Sequence, residues 1–567
     1  MIYDNKTPMG IRREDIFNTS QKSPLVHRFI EPQRILWQSE GVENSENLLQ
    51  KKDPQIQILN TPNSCKIKTG NAPAGLLLDF GVEFQGYVKF YLRDCSLKRV
   101  KIRYRFGESA MEAMSEIGEK NATNDHITRD GVFEAGFLSM EEIGPSGFRF
   151  LRIDLLDLNA ELTLFAIKGI MTYREIEYSG SFESNDERLN QIWATGAYTV
   201  HLCMQDYIWD GIKRDRLVWM GDMHPEITTI QAVFGYDESV PLSLDLMRDS
   251  YALPAFMNHF SASYSVWWIL IHYSWYLQNG NKTYLAEQQE YMRELLKILM
   301  NFVGENGSEA IPGARFFDWP TREHAENTHA GLHGLLKMGF DAGAALMCEL
   351  GEMHTAHLCE EASKKMATYI PSGCTDKQVA AFLALAGILS PKEACDTIIG
   401  KEGARGLSTF LGAYTMQIQA QAGDMEGALE NIRTFWGAMI DRGATTFWED
   451  FNIDWLEGSG RIDELVPEGT KDIHGDYGAF CYQGFRHSLC HGWASGVTAF
   501  LSNYVLGVKP IEAGCKTVEI KPNLGDLEWA KGTYPTPYGV ITVKHSKKSD
   551  GSIETLIDAP NEVTVIQ

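Results

Sequence analysis

The sequence lacks the cysteine patterns of several protein classes. Its 567 residues include 10 cysteines, which are scattered along the chain and form no CxxC pair. Zinc frameworks and dithiol redox motifs therefore have no support. Free thiols, mostly buried and in a reducing compartment, are the simpler interpretation of these cysteines.

Long apolar runs and an excess of positive charge are missing too. No stretch reaches the ~18 apolar residues of a membrane span. Residues 1–6, MIYDNK, begin no apolar segment of the kind that a secretion signal needs, so we expect a cytoplasmic protein. The formal net charge of -23 repels nucleic acid and anionic membranes. There is also no GxSxG or GxxxxGK[ST] motif, so a serine hydrolase or a P-loop protein is not indicated.

The hydrophobic pattern that is present changes twice along the chain. Short alternating runs such as residues 86–92 and 100–106 predict a β-sandwich over residues 1–180. Apolar residues then recur at intervals of three and four over residues 181–506, which predicts a helical domain. Short alternating runs return in residues 507–567 and predict a small C-terminal β-domain, with a hairpin turn at Asp550-Gly551.

The helical region contains about twelve predicted helices. They begin near Asn185, and the later ones lie near 225–235, 241–257, 263–278, 283–304, 326–351, 354–369, 376–389, 391–400, 407–422, 424–440 and 488–505. No 34- or 40-residue repeat accompanies them, which argues against an open solenoid. Paired helices in this number favour a closed α/α toroid with a central mouth.

One stretch between two predicted helices has an unusual composition. Residues 210–222, DGIKRDRLVWMGD, combine three aspartates, three basic residues and one tryptophan. Carboxylates bind hydroxyls and move protons, a basic group keeps a carboxylate ionised, and an indole covers the apolar face of a sugar. The stretch therefore predicts an acid–base site for a sugar. The alternative is structural: Arg214 and Arg216 pair with these aspartates and join two helices.

Three other segments carry acids, indoles or histidines. In residues 443–450, GATTFWED, Glu449 follows a tryptophan; a helix N-terminus capped by Thr446 explains the same pattern equally well. His491 is either a polar contact to a hydroxyl or a satisfied core histidine. Trp319 follows an aspartate in a loop before a helix. The segment between Glu449 and His491 is either a lid or a solvated acidic insert.

Together these segments resemble the α-L-rhamnosidases of glycoside hydrolase family 78. The resemblance covers nearly the whole chain and rests on residues 210–222, on GATTFWE at 443–449, on His491, and on RYRFGES at 103–109 and TNDH at 123–126. It implies a multidomain fold, in which an (α/α)6 barrel is flanked by an N-terminal β-sandwich and a small C-terminal β-domain. It also implies an inverting glycosidase that releases terminal L-rhamnose from oligosaccharides or glycosides without a cofactor or a metal.

The resemblance assigns roles residue by residue. Glu449 is the expected base, and Asp215 is the expected acid at a position where the family carries glutamate. Since aspartate is one methylene shorter, its carboxyl is set back by about 1.5 Å; Glu226 is a less favoured substitute. The expected substrate-binding residues are Asp210, Arg214, Trp219, Asp222, Trp319 and His491.

The missing glutamate motivates a second hypothesis, that of a catalytically altered relative that binds carbohydrate or hydrolyses a different glycoside. A third is a structural scaffold, in which the aspartates and tryptophans do not converge. The expected partner is a carbohydrate substrate, rather than nucleic acid or a membrane. The oligomeric state stays open, with a homodimer among the options.

Overall fold

The computed structural model describes residues 22–56, 64–480 and 482–567. Residues 1–21 of the predicted N-terminal region and Cys481 lie outside this part of the chain. The described chain runs from a strand-rich part through a helical part to a second strand-rich part, so the predicted multidomain arrangement is confirmed.

The first part is built on a network of nine antiparallel strands. They are β1 (Leu25–Ile30), β2 (Arg34–Gln38), β3 (Val42–Glu43), β4 (Cys65–Lys68), β5 (Ala74–Cys95), β6 (Val100–Gly107), β7 (Asp130–Ala135), β8 (Met140–Leu155) and β9 (Glu161–Arg174), with the short helix α1 (Ala110–Met114) after β6. Strand β5 pairs with β2 and β8 along its first half and with β8 and β9 along its second. Alternating side chains such as Phe84, Phe106 and Phe148 fill one apolar core.

The middle part is helical, apart from two short parallel strands, β11 (Ser459–Gly460) and β12 (Lys471–Asp472). Its helices are α2 (Glu187–Cys203), α3 (Met223–Val233), α4 (Ser239–Ser250), α5 (Ala262–Asn279), α6 (Lys282–Glu287), α7 (Gln289–Met300), α8 (Ala325–Glu349), α9 (Met353–Met366), α10 (Lys377–Leu385), α11 (Pro391–Ala394), α12 (Gly412–Gln421), α13 (Met425–Asp441) and α14 (Gly496–Phe500). Each predicted stretch contains a helix, but 283–304 is divided in two. In 488–505, residues 488–491 are not helical, because His491 bridges to Gly211.

Six of these helices follow one another around a ring. Helices α3, α5, α8, α10, α12 and α14 each contact the next, and α14 contacts α3. Helix α5 is buried over most of its surface, whereas α7 buries only one face. This difference is typical of a helix inside a layered helical domain and of one at its surface.

The last part forms two small sheets. Strands β10 (Ser181–Ser184), β15 (Trp529–Thr536), β16 (Gly539–Lys547) and β17 (Ile553–Asp558) make one, and β13 (Val508–Pro510), β14 (Thr517–Ile520) and β18 (Thr564–Ile566) make the other. The predicted turn at Asp550-Gly551 joins β16 to β17, as expected. Strand β10 precedes the helical part in sequence, so its pairing with β15 fastens the end of the chain to the start of the helices.

Two further findings concern the described residues as a whole. None of their helices is both long and apolar enough to cross a membrane. The nine cysteines among them are free thiols, of which five are buried and only Cys348 is exposed.

Candidate active site

The acidic loop, residues 204–222, connects α2 to α3, as the sequence predicted. Within this loop Asp210 Oδ1 accepts the Leu217 N–H at 2.9 Å, which brings residues 210 and 217 together. The Asp210 carbonyl accepts the Gly492 N–H at 2.8 Å, which ties the loop to a distant segment. Asp215 and Arg216 have φ values of 51° and 55°. Aspartate tolerates this left-handed conformation better than most residues, and the chain turns back on itself there.

A cavity of about 310 Å³ opens over this loop. All eight residues predicted for the site line it: Asp210, Arg214, Asp215, Trp219, Asp222, Trp319, Glu449 and His491. The scaffold hypothesis, which requires that these side chains do not converge, is therefore wrong. Six further residues complete the wall: His126, Phe260, Tyr264, Tyr482, Arg486 and Trp493.

Arg214 connects the two predicted catalytic carboxylates. Its Nη2 lies 2.5 Å from Glu449 Oε1, and its Nη1 lies 3.3 Å from Asp215 Oδ1. Burial opposes the ionisation of Glu449, but the charges of Arg214 and His491 outweigh it and hold the pKa of Glu449 well below its usual range. Glu449 is thus a carboxylate that stays ionised although only 2% of its surface is exposed.

Asp215 is held at the cavity wall by three groups. The Trp219 indole N–H donates to its Oδ2 at 3.2 Å, and His126 Nδ1 lies 3.2 Å from its Oδ1. Arg214 is the third. Because Trp219 positions the carboxyl directly, its role is wider than the stacking that the resemblance implied.

A buried group of polar side chains lies beneath Glu449. His491 Nε2 is 3.4 Å from Glu449 Oε1, 3.8 Å from Asp210 Oδ2 and 3.9 Å from Asp222 Oδ2. Burial, together with neighbouring acids, raises the pKa of both Asp210 and Asp222 well above its usual range. The Tyr264 hydroxyl donates to Asp222 at 3.4 Å. His491 therefore lies among the site's acids rather than in an apolar core.

One alternative interpretation of these segments is wrong, and another is met only in part. Residues 443–450 begin no helix; the Thr446 hydroxyl donates to the Leu489 carbonyl at 2.7 Å, so it caps nothing. The pairing of both arginines with the loop's aspartates is met by Arg214, which lies 3.3 Å from Asp215, but not by Arg216, which donates to the His126 carbonyl at 2.8 Å. Both outcomes depend on partners that lie far away in sequence.

The segment between Glu449 and His491 packs against the rest of the protein. Tyr482 and Arg486 line the cavity, and Arg486 pairs with Asp125 of the first part at 3.2 Å. Asp463 is within 3.7 Å of Arg149, and His474 is fully buried. The segment is therefore packed in part, at Asp463 and His474, whereas its acids Asp454, Glu457, Glu464 and Glu468 are exposed.

Sequence reasoning missed the cavity residues outside the recognised segments. His126 is the clearest case: residues 123–126 belong to the resemblance, but no role was assigned to them. Tyr264 stands in the first turn of an apolar helix, where no local pattern distinguishes it from a core residue.

One cluster of side chains in the described chain, separate from the cavity, could hold a metal ion by its geometry. Ligand atoms of Glu108, Glu112 and His474 lie within 4.8 Å of one another. Lys213 Nζ is 3.1 Å from each of the two carboxylates, so an ammonium group supplies the positive charge between them.

The chain is similar to known proteins in two of its parts and along most of its length. Residues 177–335 match the family model described as the bacterial alpha-L-rhamnosidase 6 hairpin glycosidase domain. Residues 507–566 match the bacterial alpha-L-rhamnosidase C-terminal domain.

Two curated relatives carry the name alpha-L-rhamnosidase. The one from Formosa agariphila is 23% identical over 468 residues, which are 74% of this chain and 47% of the relative. The one from Alteromonas sp. is 23% identical over 531 residues, 84% of this chain and 54% of the relative. The chain thus spans about half the length of the curated relatives it matches.

Solved structures share the fold. The GH78 rhamnosidase of Bacillus sp. GL1 superposes with a TM-score of 0.75 at 22% identity, over 92% of this chain and 55% of that one. A rhamnosidase from Klebsiella oxytoca with rhamnose bound has a TM-score of 0.65 at 17% identity, over 84% of this chain and 96% of that one.

Proposed function

We propose that this chain, which belongs to the α-L-rhamnosidases of glycoside hydrolase family 78, hydrolyses terminal α-L-rhamnosides with inversion at the anomeric carbon. The observation that carries the proposal is the pair formed by Asp215 and Glu449 on opposite ends of the Arg214 guanidinium. One carboxyl is half-buried at the cavity wall, and the other is buried and kept ionised.

In this mechanism Asp215 protonates the glycosidic oxygen as its bond to the anomeric carbon breaks. Glu449 accepts a proton from the water whose oxygen attacks that carbon on the opposite face. Since one guanidinium reaches both carboxylates, their nearest oxygens are at most roughly 8 Å apart, a limit that overlaps the lower part of the ~6.5–9.5 Å separation of inverting enzymes. Asp210 and Asp222 bind hydroxyls of the sugar, while Trp219, Trp319 and His491 shape its pocket.

The same proposal includes the finer architecture. The contact ring of α3, α5, α8, α10, α12 and α14, each preceded in sequence by another helix, supports an (α/α)6 barrel. We place the β-sandwich in residues 1–180, the barrel in 181–506 and the C-terminal β-domain in 507–567. The acidic loop and residues 488–493 then lie at the same mouth of the barrel, before α3 and α14.

The test compares two variants on two kinds of substrate. With Asp215→Asn, hydrolysis of an alkyl or disaccharide α-L-rhamnoside should fall about 100- to 10,000-fold, but that of 4-nitrophenyl α-L-rhamnoside much less, because nitrophenolate leaves without a proton. With Glu449→Gln, both should fall by about 100-fold or more. Proton NMR of the first product should show β-L-rhamnose.

Two outcomes would contradict the proposal. Wild-type release of rhamnose by Glu449→Gln would exclude Glu449 as the base. A wild-type protein that binds rhamnose in calorimetry but hydrolyses no α-L-rhamnoside from pH 4 to pH 8 is instead the carbohydrate-binding relative.

A further inference from the structure

A buried ionic cluster connects the strand-rich first part to the segment behind Glu449. Glu108, directly after β6, is 1% exposed. Its carboxylate accepts the Leu489 N–H at 2.6 Å and the Ser488 hydroxyl at 3.1 Å, and lies 3.1 Å from Lys213 Nζ. Burial raises the pKa of the Glu108 carboxyl to about 7, and three partners at these distances bind it strongly in the low-dielectric interior.

Lys213 extends the same cluster towards the cavity. Its ammonium group donates to the carbonyls of Phe485 at 2.8 Å and His487 at 2.7 Å, and also pairs with Glu112 at 3.1 Å. Residues 485–489 are therefore held by side chains on both sides, although the described chain gives them only one short helical turn, Gly484–Arg486, as regular structure.

Both carboxylate oxygens of Glu449 are bound by groups that are next to this cluster or part of it. The Ser488 N–H donates to Glu449 Oε2 at 3.1 Å, and the Ser488 carbonyl accepts the Glu449 N–H at 3.0 Å. The other oxygen, Oε1, is bound by Arg214, the residue that follows Lys213. The contacts from Glu108 thus reach Glu449 by two routes, through Ser488 and through the backbone of Lys213.

We propose that Glu108 is a positioning residue: from the N-terminal β-domain it fixes the orientation of the catalytic base Glu449 across the domain boundary. The proposal rests on the proposed function of that site. The first domain then contributes to catalysis through the position of Glu449, because a displacement of about 1 Å at a reacting group lowers the rate on the order of 100-fold.

The experiment measures kcat and KM on 4-nitrophenyl α-L-rhamnoside for Glu108→Gln and Glu108→Ala. We expect kcat to fall about 10- to 100-fold, with the glutamine variant the more active because its amide oxygen still accepts a hydrogen bond. KM and the calorimetric Kd for rhamnose should change less than about threefold, since neither Asp210 nor Asp222 touches Glu108. Loss of stability alone would lower the active fraction and leave kcat per folded molecule unchanged.

Glu112→Gln is the matched control. Glu112 also pairs with Lys213 and accepts the Glu108 N–H at 2.9 Å, but its side chain does not bind residues 488–489. Because glutamine keeps an oxygen that accepts this N–H, kcat should stay within about threefold of wild type. If neither Glu108 variant folds, Ser488→Ala removes only the hydroxyl that reaches Glu108, and we expect a two- to fivefold lower kcat at unchanged KM.

The outcomes separate the two proposals. An active wild type with unchanged kcat in the folded Glu108 variants, or in Ser488→Ala where those do not fold, overturns the positioning role alone. A wild type that hydrolyses no α-L-rhamnoside overturns the proposed function, and the positioning role with it.

Discussion

At the scale of single residues, the site is organised by one cation among several acids. Arg214 is the residue that touches both predicted catalytic carboxylates, at 2.5 Å and 3.3 Å. Two of the other acids, Asp210 and Asp222, are buried with raised pKa values, while Glu449 has a lowered one. Acids in one cavity thus favour different protonation states, which is the arrangement that acid–base catalysis needs.

We predict that Arg214→Met shifts the acid limb of the kcat/KM profile to higher pH. The base is active when ionised, and burial alone would raise the pKa of Glu449; Arg214, followed by His491 and His487, lowers it. Removing this charge raises that pKa, so activity should be lost first in the acid range. Rates from pH 3.5 to pH 8 measure the shift.

Arg216→Met serves as the control, because Arg216 contacts the His126 carbonyl rather than one of the two predicted catalytic carboxylates. Its acid limb should coincide with that of the wild type. If the acid limb of the kcat/KM profile does not move in Arg214→Met, the ionisation of Glu449 does not determine that limb.

At the scale of elements, helix α3 begins with an unusual pair of acids. Asp222 precedes its first residue and faces the cavity, while Glu226 lies one turn later and is fully buried. Neither carboxylate oxygen of Glu226 has a hydrogen-bond partner among the described residues, and a side chain at Gly492 would overlap it. Glu226 does not line the cavity, so the structure gives no support to it as a substitute acid.

We predict that Glu226→Gln stabilises the protein more as pH rises. Burial, with smaller effects from Cys203, Asp222 and Asp210, raises the pKa of Glu226 well above its usual range. The folded state therefore keeps a proton that the unfolded state loses above about pH 4.5, and stability falls as pH rises through this range. The variant removes that penalty, at about 1.4 kcal/mol per pH unit.

Urea unfolding at pH 4, 5, 6 and 7 measures the difference between variant and wild type. It should be near zero at pH 4 and grow with pH. Glu290→Gln, at an exposed position on α7, should show no such trend. A constant difference would mean that Glu226 is ionised in the folded protein.

The elements were predictable from sequence where their pattern is local. Periods of two and of three to four predicted the strands and helices, because each reflects burial of one face of that element. The pattern at residues 443–450 left a helix cap at Thr446 open as an alternative; only the contact of its hydroxyl with the distant Leu489 carbonyl excludes it, and no local pattern reveals that contact. For the same reason the convergence of 210–222 with Glu449 was predictable only through the resemblance, and His126 was missed.

At the scale of the whole molecule, the strand-rich and helical parts share buried polar contacts. Arg149 of β8 pairs with Asp79 of β5 at 2.8 Å and donates to the Gly443 carbonyl of the helical part at 2.8 Å. The Tyr198 hydroxyl of α2 donates to the Glu83 carbonyl at 2.6 Å. If the two parts separated, these polar groups would lose their hydrogen-bond partners. The loss raises the free energy of the separated state, most of all for any group that stays buried.

We therefore predict that the two parts unfold in one transition, and that Arg149→Met lowers the stability of both together. The variant leaves Asp79, which is fully buried, with Arg34 as its remaining cation, and should cost about 3–5 kcal/mol of unfolding free energy. Hydrogen exchange followed by mass spectrometry should show that peptides of β5 and of α5 exchange faster by the same factor.

The control is Arg99→Met, which removes an exposed pair with Glu134 and should change the unfolding free energy by less than about 0.5 kcal/mol. Faster exchange confined to β5 would instead mean that the first part unfolds independently, and the active site would then lose His126 and Glu108 before the helices open.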